Sequence, residues 1–466
     1  MRLTEAIHLS VHSPRPAIVA FTGAGGKSTA IFRLAQEIVA DGFRVVTTTT
    51  TRIAAEQIGL APIHLLTSGN EIDWADLERN LDRYGHCLLL ADDQPPKVVG
   101  LSPHLVDLLA ARAEDLNLTA VLVEADGSAR RPAKAPAAHE PVIPDSTTLL
   151  IPVLGLDAIG LPVAAPHIHR PEYLRQVLAI EDPATRLTPE MAVRLLCHPQ
   201  GGAKGRPASA RFLPLLNKAD SPTRRLLGRL IASGLMGKEQ ASLLATTGHS
   251  HTDAVWERWG PTAAVVLAAG GASRMGRPKQ LLEIAGQTLV ERAARLALGS
   301  GATEVIVVTG AYGEQVAAAL VKVAAALVKV AAEAKGKLRL VHNPAWQSGQ
   351  ASSVHSAVRA LSAHCQAALF FPVDQPNLPV ALLRQLWQRW RKGADRVATE
   401  VAGEVRGAPA IFDQRYWPAL LSLEGDQGAR PLLRGGEKPV ATVSAHASIL
   451  TDVDTPAEWA TFNGNR

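Results

Sequence analysis

Val265 to Lys279 reads VVLAAGGASRMGRPK. The apolar run Val265, Val266, Leu267, Ala268, Ala269 has the length and β-branched start of a buried strand, and it breaks at Gly270 and Gly271. The stretch then turns basic, with Arg274, Arg277 and Lys279 close together. Glycines let backbone N–H groups approach a polyphosphate without a Cβ in the way, and nearby cations offset the charge that develops as a phosphoryl group is attacked. The stretch therefore outlines a triphosphate site. The same residues also allow an ordinary strand-to-helix turn with a solvated basic face.

Longer patterns separate the two readings. Leu267, Ala268, Ala269, Gly270, Arg274, Met275, Gly276, Pro278 and Lys279 spell L-A-A-G-x-x-x-R-M-G-x-P-K without a gap. This pattern resembles the signature of the sugar-nucleotide and molybdenum-cofactor nucleotidyltransferases. Farther on, Ala367 to Val373 predicts a buried strand closed by Asp374-Gln375-Pro376, and an acid at such a strand end suits a magnesium ion near a triphosphate. Asp452 and Asp454, in T-D-V-D-T-P, supply the other side of the ion or are plain turn residues.

Residues 262–462 as a whole are similar to molybdenum cofactor cytidylyltransferases of the MobA-like NTP transferase family. The likeness extends through N-P-x-W-x-x-G-x-x-S-S (Asn343 to Ser353), D-Q-P (Asp374 to Pro376), G-A-P (Gly407 to Pro409) and G-D-Q-G-A-R (Gly425 to Arg430). It implies transfer of CMP from CTP to molybdopterin-bound molybdenum, with pyrophosphate released. By the same resemblance, Arg274 and Lys279 hold the triphosphate and Asp374 with Asp454 holds Mg2+. Leu267, Ala268, Ala269, Gly270 and Gly271 form the nucleotide loop, and Asn343, Ser352, Ser353 and Asp426 lie on the pterin side. Ala269 in place of a glycine implies cytidine over guanosine, because a Cβ there can crowd a purine ring.

At 466 residues the chain exceeds one hydrophobic core, and 47% hydrophobic with 20% charged residues describes a globular protein. A net charge of +5 with only 4% aromatics fits small anionic ligands and does not suggest a nucleic-acid partner. Cys87, Cys197 and Cys365 are scattered, which argues against a disulfide framework or zinc site and for a reducing compartment. The opening MRLTEAIHLSVHS carries Glu5 and no signal-peptide core, and the apolar stretch 149–165 is broken by Pro152, Asp157 and Pro162. No membrane span is expected, and the expected location is the cytoplasm.

In the first half, Ala17 to Thr22 predicts a strand, and Gly23-Ala24-Gly25-Gly26-Lys27-Ser28-Thr29 follows it. Ile31, Leu34, Ala35, Ile38 and Val39 then recur at helical spacing, and a second strand begins near Phe43. A glycine-rich turn at a helix N-terminus offers free N–H groups and a positive dipole end to an anion. A dinucleotide fingerprint needs a third glycine where Ser28 stands. A phosphate loop needs G-K-[ST], supplied by Gly26-Lys27-Ser28, although Phe21 replaces its first glycine. The expectation is a shortened phosphate loop, with Lys27 on phosphates and Ser28 on Mg2+.

Thr119 to Val123 predicts a strand ending at Glu124 and Asp126, where a nucleotide-binding sheet holds metal or its water. Asn217, Lys218 and Asp220 form N-K-x-D, which can pair an acid with a guanine edge or arise by chance. His167 with His169, and His249 with His251 and Asp253, have metal-like spacings without a Cys/His framework. Together with K-A-P-A-A-H-E-P (Lys134 to Pro141), residues 10–245 resemble the accessory proteins of selenium-dependent molybdenum hydroxylases. That resemblance implies nucleotide binding, with ATP or GTP possible, and a client molybdenum hydroxylase. Arg130, Arg131, Lys134, His139 and Glu140 either line the site or form a surface loop.

The expected fold class is α/β, as two three-layer α/β domains. These are a P-loop-like nucleotide-binding domain over 1–245 and a Rossmann-like nucleotidyltransferase domain with a mixed sheet over 262–466, joined by a linker at 246–261. AAALVKV repeats at 317–323 and 324–330, which lengthens a helix by about two turns with its faces nearly in register. Two other function classes stay open: an NAD(P)H-dependent oxidoreductase on the same fold, and a non-catalytic cofactor carrier or chaperone.

Overall fold

The computed structural model describes residues 1–9, 15–69, 71–92, 97–248, 253–271, 274–330, 338–435 and 439–464. It divides into two compact units, Met1–Trp259 and Gly260–Arg466. His249 and His251, whose spacing a metal could use, lie outside the described residues.

The first unit is built on a ten-stranded sheet. In chain order its strands are β1 (Ala17–Gly23), β2 (Arg44–Thr49), β3 (His64–Leu66), β4 (His86–Leu90), β5 (Leu118–Glu124), β6 (Leu149–Gly155), β7 (Arg211–Phe212), β8 (Leu215–Asn217), β9 (Ser242–Ala245) and β10 (Val255–Trp259). Across the sheet they run β10-β9-β8-β6-β1-β5-β2-β4-β3, with β7 beside β6. Every pairing is parallel except β9 with β10.

Parallel strands are covered on both faces, which is why β1 reads as a near-continuous apolar run. Val19 and Phe21 enter one hydrophobic cluster, while Ile18 and Ala20 enter others. Helix α1 (Lys27–Ala40) follows β1 and buries Ala30, Ile31, Leu34, Ala35 and Ile38.

Residues 246–261, expected as a linker, carry β10 instead. Its register pairs Ser242 with Trp259 and Leu244 with Glu257. Glu257 and Arg258 hid the strand in the sequence. Both are buried, and Glu257 is satisfied by the Arg229 guanidinium of helix α2 (Pro222–Met236), 2.9 Å from its Oε1. An edge strand tolerates charges that a central one would not.

The second unit holds a seven-stranded mixed sheet. Its strands are β11 (Thr262–Ala268), β12 (Glu304–Thr309), β13 (Leu338–His342), β14 (Ala367–Pro372), β15 (Arg396–Val401), β16 (Glu404–Asp413) and β17 (Ala441–Ser444). The order is β13-β12-β11-β14-β16-β15-β17, with β16 antiparallel to both neighbours. Ala264, Val266 and Ala268 feed one core, and Ala263, Val265 and Ala269 feed the other. This alternation places helix layers on both faces of the sheet. The first core takes α3 (Leu289–Gly299), α4 (Gly313–Val330) and α6 (Val380–Arg391), and the second takes α5 (Gln350–Ala360). The α/β class read from the sequence is the one observed, and among the described residues no helix is long and apolar enough to cross a membrane.

Candidate functional site

In the second unit the chain leaves β11 to one side as β12 and to the other as β14, so sequence order reverses at β11. Open α/β sheets form a crevice at the carboxyl ends of strands at such a point. Leu267 on β11 pairs in register with Pro372 on β14, so the loop after Ala268 and the turn carrying Asp374 emerge side by side.

Lys279 reaches across from the 3-10 turn Lys279–Leu281. Its ammonium stands 3.3 Å from Asp374 and also pairs with Asp454. Arg274 pairs with Asp454 at 3.2 Å while remaining largely exposed. The structure thus brings Arg274, Lys279, Asp374 and Asp454 together. Burial, aided by the nearby Asp454, pushes the Asp374 carboxyl above the usual aspartate range despite Lys279. Burial alone would lower Lys279, but Asp454 and Asp374 more than offset it and its pKa is raised. Burial and the charge of Asp374 raise Asp452 as well, and Asp452 accepts from the Gln375 amide at 3.0 Å.

These groups sit where two compartments of one cleft adjoin. The smaller, ≈ 440 Å³, is lined by Leu267, Ala269, Gly270, Gly271, Lys279 and Trp346 among others. The larger, ≈ 650 Å³, is lined by Gln375, Arg406, Gly407, Arg430 and Asp452 among others. Asp374, Asp426 and Asp454 line both. Gly271 is required where it stands, because a Cβ there would come within 2.5 Å of the Trp346 ring. Ala269 is 5% exposed, and a methyl built on Gly310 would lie 2.9 Å from its Cβ. Position 310 therefore has no room for a side chain beside the loop.

The pterin-side candidates divide. Asn343 is buried, donates to Ser352 Oγ at 2.8 Å and Ser353 Oγ at 3.0 Å, and accepts from Ala345 N at 3.0 Å. Its side chain staples the turn to α5. Ser353 lines the glycine-loop compartment, and Ser352 lines neither compartment. Only Asp426 of the four faces the larger compartment. Arg430, the last residue of the G-D-Q-G-A-R motif, and Arg406, which sequence reasoning passed over, line that compartment and give it a cationic wall.

In the first unit, β1 lies between β5 and β6, and Phe21 pairs with Glu124. Gly25 has φ +97°, and a Cβ there would lie 2.2 Å from Gly155 N. Lys27 is buried, donates to Gly23 O at 2.7 Å, and pairs with Asp126 at 3.2 Å and Glu124 at 3.6 Å. Burial acts to lower its pKa, but Asp126 and Glu124 outweigh that and raise it. Ser28 Oγ donates to Glu124 at 2.8 Å. Asp126 also meets Lys134 at 3.2 Å, and Lys134 meets Glu140 at 2.6 Å.

A cavity of ≈ 740 Å³ opens over this cluster, lined by Gly25, Gly26, Lys27, Ser28 and Thr29 and by Arg52, Arg130, Arg131, Arg170 and Lys218. The expected N-K-x-D set splits. Asn217 holds the glycine loop through Gly25 O at 2.9 Å, Lys218 pairs with Asp157 at 2.6 Å at the cavity wall, and Asp220 turns to Arg224 at 2.7 Å. Asp220 and His139 do not line the cavity. His169 does, and burial followed by the charges of Lys134 and Arg170 lowers its pKa. No group of three or more His, Cys, Asp or Glu side chains that could hold a metal ion occurs among the described residues.

Comparison with known proteins agrees with this division. The family model for YqeC protein matches residues 19–172, and that for the MobA-like NTP transferase domain matches residues 264–443. YqeC of Escherichia coli (strain K12) is 32% identical over 44% of this chain and 77% of its own length. Nicotine blue oxidoreductase of Paenarthrobacter nicotinovorans is 36% identical over 38% of this chain and 81% of its own. Among solved structures, Rv0371c from Mycobacterium tuberculosis H37Rv is 26% identical, covering 43% of this chain and 97% of that one, with a TM-score of 0.37. The chain therefore belongs to two families at once, with a YqeC domain in its first half and a MobA-like NTP transferase domain in its second.

Proposed function

We propose that the second unit transfers CMP from CTP to the terminal phosphate of molybdopterin-bound molybdenum, releasing pyrophosphate. One observation carries this reading: two compartments adjoin at Asp374 and Asp454, one walled by the glycine loop and the other by Arg406 and Arg430. A nucleotide in the smaller compartment and a phosphorylated acceptor in the larger would meet at those acids. An acceptor oxygen attacks the α-phosphorus, the bond to the β-phosphate bridging oxygen breaks, and pyrophosphate leaves.

Little covalent work falls to the protein, which positions both anions and offsets their charge. Lys279 and Arg274 exchange their acidic partners for phosphate oxygens. The donor set suits Mg2+, since Asp374 stays poorly compensated even beside Lys279, and magnesium takes one or two carboxylates plus substrate phosphates. Asp374 and Asp454 would hold it, and it would supply charge neutralisation of the triphosphate. Ala269 lines the smaller compartment, and its Cβ favours CTP by crowding the larger purine ring.

The test is pyrophosphate release with purified molybdenum cofactor and each of the four nucleoside triphosphates. Turnover with CTP well above the others is expected. Preference for GTP would overturn the base assignment, and release with none would favour the carrier reading. The likeness to nicotine blue oxidoreductase supports a second reading, an NAD(P)H-dependent reductase, which titration with NADPH against CTP separates.

For the first unit we propose a nucleotide site, ATP or GTP, serving maturation of a molybdenum hydroxylase client. Lys27, Ser28 and the arginine-rich wall support it, with Glu124 and Asp126 as candidate metal-side acids. A triphosphate would draw Lys27 from Asp126 and Glu124. In the full chain, Lys27→Ala is expected to weaken ATP or GTP binding at least tenfold while leaving CTP turnover unchanged. Equal affinity in both proteins would reject the idea.

A further inference from the structure

Four successive carbonyls of the glycine loop are tied to donors. Gln280 Nε2 donates to Ala268 O at 2.9 Å and to Gly270 O at 2.8 Å. Ala311 N donates to Ala269 O at 3.4 Å, and the Tyr312 hydroxyl donates to Gly271 O at 3.3 Å. Gln280 is 2% exposed, and its amide N–H groups have those two carbonyls as partners, which also fixes which end of the amide is nitrogen.

The C=O and N–H of one peptide unit point in opposite directions. Tying the carbonyls of Ala268 and Gly270 to Gln280 therefore turns the N–H groups of Ala269 and Gly271 away from it. Among the described residues, no hydrogen bond engages the N–H of Gly271, nor that of Gly270, whose peptide carbonyl, Ala269 O, is held by Ala311 rather than by Gln280. Those glycines line the smaller compartment, where an anion would satisfy the free donors.

We propose that Gln280 is the positioning residue of the nucleotide loop, with Tyr312 as a second tie: together they hold the loop carbonyls back so that its amides face the phosphates. The role rests on reading this cleft as a nucleotidyltransferase site. It predicts a loss confined to the charged part of the ligand, whereas a residue that merely fills the core would affect stability without singling out phosphate.

The test compares wild type with Gln280→Met, Gln280→Glu and Tyr312→Phe in the full chain. Calorimetric titration would use each of the four nucleoside triphosphates, inorganic tripolyphosphate, and cytidine without phosphate. Gln280→Met is expected to weaken CTP and tripolyphosphate roughly tenfold, about the value of one to two lost hydrogen bonds. Gln280→Glu should weaken them further, because a carboxylate would face two carbonyl oxygens, and Tyr312→Phe should cost a few-fold. Cytidine affinity should not change.

Equal losses for cytidine and CTP, or wild-type CTP affinity in a folded Gln280→Met protein, would overturn the proposal. If Gln280→Met does not fold, Tyr312→Phe decides on the same comparison. A wild type that prefers another triphosphate, with the same loss on substitution, removes the cytidine assignment and supports the positioning role. A wild type that binds no triphosphate overturns both.

Discussion

The Asp374→Asn protein is expected to melt at a higher temperature than wild type at pH 8, while its nucleotidyl transfer falls roughly 10³-fold. The two effects have one cause. Asp374 is half-buried just past the end of β14, near Asp454, and desolvation holds its pKa above the ordinary 3.8. A carboxyl whose folded pKa is raised stabilises the fold below the unfolded pKa, and that contribution is lost as pH rises through the folded value. Once ionised, the side chain is a net cost, and under the proposed function it is retained because a cation and a triphosphate would need the charge. Asparagine removes the cost and the function together, and Lys279 keeps Asp454 as its partner.

The stability advantage of the variant should shrink as pH falls toward 4. Thermal melts across pH and pyrophosphate release are the measurements. A variant less stable than wild type at pH 8 would show that the Lys279 pair outweighs desolvation.

Lys279→Ala should also lower transfer roughly 10³-fold, but with the opposite sign in stability. Removing the ammonium leaves Asp374 and Asp454 facing each other, with the exposed Arg274 as the one remaining cation paired with Asp454 among the described residues. Like charges left without their partner are destabilising, so the melting temperature should fall and the Asp374 pKa should rise further. Combining Asp374→Asn with Lys279→Ala should recover stability and leave activity lost. Such coupling is expected only of groups in contact. Additive melting shifts in the double variant would mean that the two side chains do not interact, and the site as described would be wrong.

Much of the fold was legible because its central strands are buried on both faces. A strand covered by helices on both sides must be apolar throughout, so Val265 to Ala269 and Ala17 to Thr22 stand out from any polar surface segment. The breaks at Gly270 and Gly23 were equally plain. Less legible was β10, where an edge position and the Arg229 partner let Glu257 and Arg258 sit in a strand. Asn343 illustrates another limit. A polar residue in a loop motif reads as facing a ligand, yet its three hydrogen bonds to Ser352, Ser353 and Ala345 turn it inward. Gln280 and Arg406 had no signal of their own, being single polar residues whose use depends on what folds against them.

By itself the sequence determined the two α/β units, the two glycine loops, and the acids and cations that could serve them, because periodicity and loop chemistry are local. Tertiary structure alone decided which of those charges meet. Lys279 lies 95 residues from Asp374 and 175 from Asp454; parallel pairing of β11 with β14 brings Asp374 beside the loop, and Val453 N donating to Asp374 O brings Asp454 to the same edge. The same holds for Asp220, which shares a motif with Asn217 but turns to Arg224 while Asn217 secures the loop. Contact energies fall off within a few ångströms, so distance along the chain says little about them until the strands have paired.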